Sequence, residues 1–165
     1  MTTATEKDTD YVPVEPQRIA VNDVAPKLYN AYSHLENAVR GAVDPTLYEL
    51  IKTRASQING CAFCVDMHTK DARAKGETEQ RLYLLSAWEE VPLYTAKERA
   101  ALALTEAVTL VAETHVPQEV WDEAAAVFSE EELAGVLMAI VAINGWNRIA
   151  ISSRTPAGDY QPVSR

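Results

Sequence analysis

Apolar residues recur along most of this chain at the spacing of amphipathic helices. In the first such stretch they step by 4, 3 and 4 positions along one helix face: Leu28, Tyr32, Leu35 and Val39. This period predicts a helix. Pro26 suits its first position, where the backbone N–H has no partner within the helix, and Gly41 marks its end.

Six further helices are predicted from capping residues and helix breakers. Asp44 and Pro45 provide the N-cap and the first residue of the second helix, which Asn59-Gly60 ends. The third begins near Cys61 and runs to Gly76. The other four are marked as follows: apolar positions from Leu82 to Trp88, the capping box Thr95-x-x-Glu98, Pro117, and a second capping box, Ser129-x-x-Glu132.

The last predicted helix differs from the others because it is apolar on nearly every side. Leu133 to Ile143 contains almost no polar residue, so this helix must be central or covered by another chain. We therefore expect an all-α bundle of about seven helices that forms a homo-oligomer. Residues 1–21 are expected to form an extended N-terminal arm, 22–155 a single helical domain and 156–165 a loose C-terminal tail.

Composition narrows the possible partners. A length of 165 residues suits one domain, and a net charge of −9, with no cluster of Lys and Arg, argues against nucleic acid. No stretch approaches the roughly 20 apolar residues that span a bilayer, and no apolar signal core is present, so we expect no membrane partner and a cytoplasmic location. A stable structural disulfide is rare in that reducing compartment.

The two cysteines of the chain are therefore candidates for redox or metal chemistry. On a helix, Cys61, Cys64 and His68 share one face at spacings of three and four residues. Free N–H groups at a helix start lower the pKa of a thiol, and an imidazole one turn away can exchange its proton. This set suits peroxide reduction, in which a sulfenic acid forms and the second thiol condenses with it.

The order in which the two thiols act is left open by their spacing. The start of the helix favours Cys61 as the attacking thiolate, whereas His68 favours Cys64. We assign Cys64 as the attacking thiol and Cys61 as the resolving thiol, because a base can also return the proton to the leaving oxygen. The reaction requires no cofactor and no metal, but it does require an external dithiol reductant.

A wider pattern resembles a known family. Glu49 stands twelve positions before Cys61, and two further segments fit the same family: Thr69–Gly76 and the run of ten residues from Tyr94. Together with Cys64 and His68, they resemble the alkyl hydroperoxidase D-like proteins of the carboxymuconolactone decarboxylase superfamily. The resemblance implies an all-helical fold in trimers or hexamers, hydroperoxide reduction with a Glu49–His68 proton relay to Cys64, and a lipoyl-bearing or thioredoxin-like reducing partner.

Two features of the sequence do not fit the family simply. Phe63 stands where the best-known members have a second histidine, which places an apolar ring near the thiols. The helical period also places Glu49 opposite the apolar stripe, which favours a solvated carboxylate over a site residue.

Other functions remain possible for the same residues. One alternative is a zinc site made by Cys61, Cys64, His68 and Glu49. Another is a helical assembly protein whose thiols sense oxidation without turnover, and a third is that the cysteines are simply buried small apolar residues. Asn144, Asn147 and Arg148 in the last helix are expected to bond a neighbouring helix or to line a pocket beneath the thiols.

Overall fold

The computed structural model describes residues 12–162, and every regular element in that range is helical. Residues 1–11 of the expected arm and 163–165 of the expected tail lie outside the described residues. The elements follow in chain order: α1 (Val21–Val24), α2 (Pro26–Ala42), α3 (Pro45–Asn59), α4 (Ala62–Ala74), α5 (Glu79–Tyr83), a 3₁₀ helix (Leu85–Glu90), α6 (Ala96–Thr109), α7 (Val111–Thr114), α8 (Gln118–Val127) and α9 (Glu130–Ser153).

The predicted helix ends are set by local chemistry, as the sequence indicates. The Asp44 carboxylate accepts the backbone N–H groups of Thr46 and Leu47 at 3.0 Å. Thr95 and Ser129 each form a complete capping box. The fourth predicted helix is instead two pieces, α5 and the 3₁₀ helix.

Helix α3 lies at the centre of the fold and packs against α4, α6 and α9. Every residue of α3 from Leu47 to Thr53 is buried, so polar side chains such as Glu49 and Lys52 are buried with the apolar ones. The expected apolar face of α2 is wrong at Leu28, which is 74% exposed. Tyr32 of that face does contact α9, and Tyr29 joins it, since the rings of both meet Trp146 edge to face.

Helix α9 is long and apolar enough to cross a membrane by length and composition, contrary to the expectation from the sequence. Half of its most apolar stretch is buried against the rest of the chain, as in the core helix of a globular protein. Its approach to α2 depends on Gly145, where a β-carbon would overlap the Tyr32 hydroxyl. That hydroxyl donates to the Ala142 carbonyl at 2.9 Å.

Both chain ends contact the helical body where they are described. The backbone N–H of Arg18 donates to the Ser153 carbonyl at 2.8 Å. Near the other end, the Tyr160 hydroxyl donates to Asp71 at 2.7 Å, and Lys70 donates to the Tyr160 carbonyl at 2.9 Å. The expected loose tail is therefore held on α4 as far as these contacts reach.

Candidate active site

The turn between α3 and α4 brings the two cysteines together. Gly60 ends α3 with a left-handed φ of 69°, a conformation that glycine adopts without strain, and Cys61 follows as the N-cap of α4. Cys64 lies in the first turn of α4. The two Sγ atoms are 2.6 Å apart, both cysteines are free, and each residue is 1% exposed. The thiols are therefore in direct contact and shielded from water.

The surroundings of the thiols separate their acidities. A hydrogen bond from the Cys64 thiol lowers the pKa of Cys61 to about 7 against the opposing effect of burial, and the Cys64 backbone N–H and the Asn147 side chain lower it further. The hydrogen bond with Cys61, burial and the Cys61 charge raise the pKa of Cys64. The first proton lost from the pair therefore leaves Cys61, as expected at a helix start.

Asn147 is a buried residue beside the site whose role the sequence left open. It is fully buried on α9, and its Nδ2 donates to Ser56 Oγ at 3.0 Å while its Oδ1 accepts from Asn59 at 2.9 Å. Its amide also lowers the pKa of both thiols. An amide in an otherwise apolar helix was the available signal, because such a group needs partners when it is buried.

His68 and Glu49 form a second buried pair. His68 Nδ1 lies 2.9 Å from Glu49 Oε2, and Lys75 Nζ binds the other carboxylate oxygen. Burial alone would raise the pKa of Glu49, but the hydrogen bonds and charges of His68 and Lys75 outweigh it, so the pKa lies below its usual value. The solvated position expected from periodicity is wrong, because α4 covers the polar face of α3.

The structure does not gather the four residues of the zinc alternative. Within the described part of the chain, the acidic and histidine donors that lie within 4.8 Å of one another are Glu49, His68 and Asp71, without either cysteine. The Glu49 oxygens already accept from His68 and Lys75, and Asp71 accepts from Tyr160. Each of these three side chains therefore already has a hydrogen-bond partner within the chain.

A cavity of about 260 Å³ opens beside the thiols, between α2, α4, α9 and the segment that precedes α2. Cys64 and His68 reach it, one helical turn apart, whereas Cys61 does not line it. Phe63 also lines it, as the sequence led us to expect. The other lining residues are Gln17, Val21, Asn22, Tyr29, Ser33, Glu36, Arg40, Met67, Trp146, Ile149, Ala150, Ser153 and Thr155. The cavity gives a ligand access to Cys64 along mostly apolar walls.

A buried ion pair, missed from the sequence, lies between this cavity and α3. Lys52 is fully buried, and its Nζ lies 2.7 Å from both oxygens of Glu36. Glu36 also accepts from Tyr48 and, at 2.9 Å, from Trp146 Nε1. The signal was the run of polar residues along one face of α3, in which Lys52 falls between Glu49 and Ser56.

We predict that one thiol per chain titrates near pH 7 in the reduced protein. The contacts of Cys61 stabilise its thiolate, so ultraviolet thiolate absorbance and alkylation rate should both fall as the pH drops through that value. In Cys61→Ser the titration step near pH 7 should disappear, because the remaining thiol, Cys64, is buried and burial raises its pKa. A neutral step that persists in Cys61→Ser would place the acidic thiol at Cys64 instead.

An all-helical body with a buried Cys-x-x-Cys pair defines this protein as alkyl hydroperoxidase D-like. The chain belongs to the carboxymuconolactone decarboxylase family, whose sequence profile matches residues 26–107. It is 43% identical over 137 residues to the uncharacterised protein YdfG of Bacillus subtilis, an alignment that covers 82% of this chain and 93% of that protein.

Solved structures give the same fold. An Agrobacterium tumefaciens protein of unknown function, suggested to be the antioxidant defence protein AhpD, is 44% identical with a TM-score of 0.85, over 88% of this chain and 100% of its own. The debrominase Bmp8 has a TM-score of 0.71 at 21% identity, over 81% of this chain and 73% of its own. The second likeness shows the fold alone.

Proposed function

We propose that the protein is a dithiol peroxidase that reduces organic hydroperoxides. The observation that carries this proposal is the cavity that reaches Cys64 and His68 while Cys61 lies directly behind, with its sulfur 2.6 Å from that of Cys64. An attacking thiol, a proton donor and a resolving thiol are thus present in one buried site. The antioxidant role suggested for the Agrobacterium relative agrees with this chemistry.

The reaction begins from a dithiol that has lost one proton. The remaining proton shifts from Cys64 to the Cys61 thiolate, and the Cys64 sulfur attacks the terminal oxygen of the hydroperoxide. An S–O bond forms, the O–O bond breaks, and protonated His68 gives its proton to the departing alkoxide, which leaves as an alcohol. The Cys61 thiol then displaces water from the Cys64 sulfenic acid, and a disulfide forms.

Glu49 supports the proton transfer by holding the His68 ring. Its contact with Nδ1 leaves the other ring nitrogen as the one that can transfer a proton to the substrate. Lys75, whose side chain is 35% exposed, connects the carboxylate to the protein surface. Because Nδ1 keeps its own proton on Glu49, His68 regains the transferred proton at its other ring nitrogen, from water that enters the cavity.

Regeneration requires an external dithiol, which gives two electrons and two protons to the disulfide and becomes a disulfide itself. Because the cysteines are 1% exposed, the reductant must reach Cys64 through the cavity. A slender lipoyl arm suits this route better than a folded thioredoxin-like domain.

The test is steady-state turnover with dihydrolipoamide as the reductant. Because the cavity walls include Phe63, Met67 and Ile149, we expect kcat/KM for cumene hydroperoxide to exceed that for hydrogen peroxide by about tenfold, the scale of burying a few apolar groups. Oxidation of the thiols once per chain without turnover would support the sensor alternative. Thiols that resist both peroxides would rule out the proposal.

A further inference from the structure

We infer that Lys52 is a positioning residue for the dithiol: its buried ammonium group stabilises the thiolate, and the Glu36 carboxylate limits how strongly it does so. The proposed reaction assigns no role to this ion pair. A buried pair is often no better for stability than apolar residues of similar size, so its presence at a redox site calls for an electrostatic explanation.

Lys52 lies on the part of α3 that faces the site. Glu49 precedes it by one turn, and Ser56 follows it by one turn. The Ser56 hydroxyl donates to the Lys52 carbonyl at 2.7 Å and accepts from Asn147, the amide that lowers the pKa of both thiols. The ammonium is excluded from solvent, so its field acts through protein rather than water and is screened little by salt.

The carboxylate of Glu36 partly offsets the positive charge of Lys52. Its oxygens accept both contacts of Lys52 and the Tyr48 and Trp146 donors, while its side chain, 13% exposed, lines the cavity. These donors hold the carboxylate in place. Glu36 therefore keeps Lys52 protonated in a site where burial lowers the pKa of that lysine.

The other charged groups near the thiols are either paired with an opposite charge or lie on an exposed surface. Glu49 of α3 is paired with His68 and Lys75 of α4. Arg40 of α2 stacks over the Tyr48 ring at 5.3 Å and lies on the exposed part of the cavity wall. Helix α9 contributes the neutral Asn147. The charge of Lys52 favours the Cys64 thiolate, while burial and Cys61 oppose it.

The test compares the thiolate titration of four reduced proteins in the absence of peroxide. Because the two sulfurs are 2.6 Å apart, a positive charge that favours a thiolate on Cys64 also favours the single negative charge that the pair carries after its first ionisation. In Lys52→Met, the midpoint of the first thiolate step should therefore rise by about half to one pH unit, a three- to tenfold loss of thiolate at a given pH. Lys52→Arg keeps the charge and should titrate as the wild type does. The double variant Glu36→Gln/Lys52→Met removes both charges at similar volume, and its rise should be smaller than that of Lys52→Met alone.

The relative size of the two midpoint shifts separates an electrostatic role of Lys52 from a structural one. The double variant loses more native contacts than Lys52→Met, yet it should show the smaller shift. If Lys52→Met does not fold, the double variant carries the test, since it leaves no unpaired buried charge and must still show a rise. Lys97→Met, which breaks an exposed ion pair with Glu132, is the control and should show none. A double variant that titrates with the wild type, or beyond Lys52→Met, would overturn the inference.

The titration requires no hydroperoxide and no reductant, so its outcome is independent of the proposed peroxidase activity. Failure of turnover with a shifted Lys52→Met titration would reject the proposed function and keep this inference. Normal turnover with unshifted titrations would reject this inference and keep the proposed function.

Discussion

Cys64→Ser is expected to abolish hydroperoxide turnover, with a loss of about a thousandfold or more in kcat, the scale on which removal of an attacking nucleophile acts. The reason is geometric, because Cys64 is the cysteine that lines the cavity. A serine hydroxyl at that position cannot attack the O–O bond at a useful rate or form a disulfide. The measurement is turnover of cumene hydroperoxide with dihydrolipoamide.

Cys61→Ser is the matched control for that experiment. Serine is a favourable N-cap, so the start of α4 should be preserved. This variant should lose turnover but still react once with the hydroperoxide, and the Cys64 sulfenic acid should then be trapped by dimedone and found by mass spectrometry. If the trapped residue is instead Cys61, and only in Cys64→Ser, the roles of the two thiols are reversed.

His68→Gln is expected to lower kcat/KM for the hydroperoxide by about a hundredfold or more, the scale of a positioned general acid. The alkoxide would then leave without a proton donor. Glu49→Gln should have a smaller effect, about tenfold, because the amide can still hold the ring but carries no charge. Both values come from the rate of thiol oxidation in a single turnover, which does not depend on the reductant.

His34→Gln serves as the control, since His34 lies on the exposed side of α2 and does not line the cavity. A general acid also has a signature that misfolding lacks. The loss in His68→Gln should be smaller for a hydroperoxide whose alcohol is more acidic, because that leaving group needs less help. An equal loss for every leaving group would argue against proton donation by His68.

Most helix boundaries follow from local chemistry and were predictable for that reason. Three of these boundaries are N-caps whose side chains accept backbone N–H groups of the next helical turn: Asp44, Thr95 and Ser129. Gly60 ends α3 through contacts within four residues, so the sequence alone specifies all four boundaries. The spacing of the two cysteines and His68 likewise fixes their shared face on α4. The all-α prediction is confirmed across the part of the chain that the structure describes.

Residues whose environment depends on tertiary packing were harder to predict. Periodicity assumes that one face of a helix meets water, but α3 is buried on every side from Leu47 to Thr53. Glu49, for which periodicity favoured a solvated position, and Lys52, which had no assigned role, are therefore both buried. The resemblance to the family corrected the prediction for Glu49. The run of polar residues on α3 marked the position of Lys52 but not its partner, because Glu36 lies sixteen residues earlier on another helix.

The environment of Trp146 has a practical consequence. Its indole packs against the cluster that contains both cysteines, donates to Glu36 and lines the cavity. Thiols and disulfides quench indole emission to different extents, so the fluorescence of this residue gives a label-free optical record of the site. The other two tryptophans, Trp88 and Trp121, do not line the cavity, and replacing them with phenylalanine would leave a single-reporter protein for rapid-mixing kinetics.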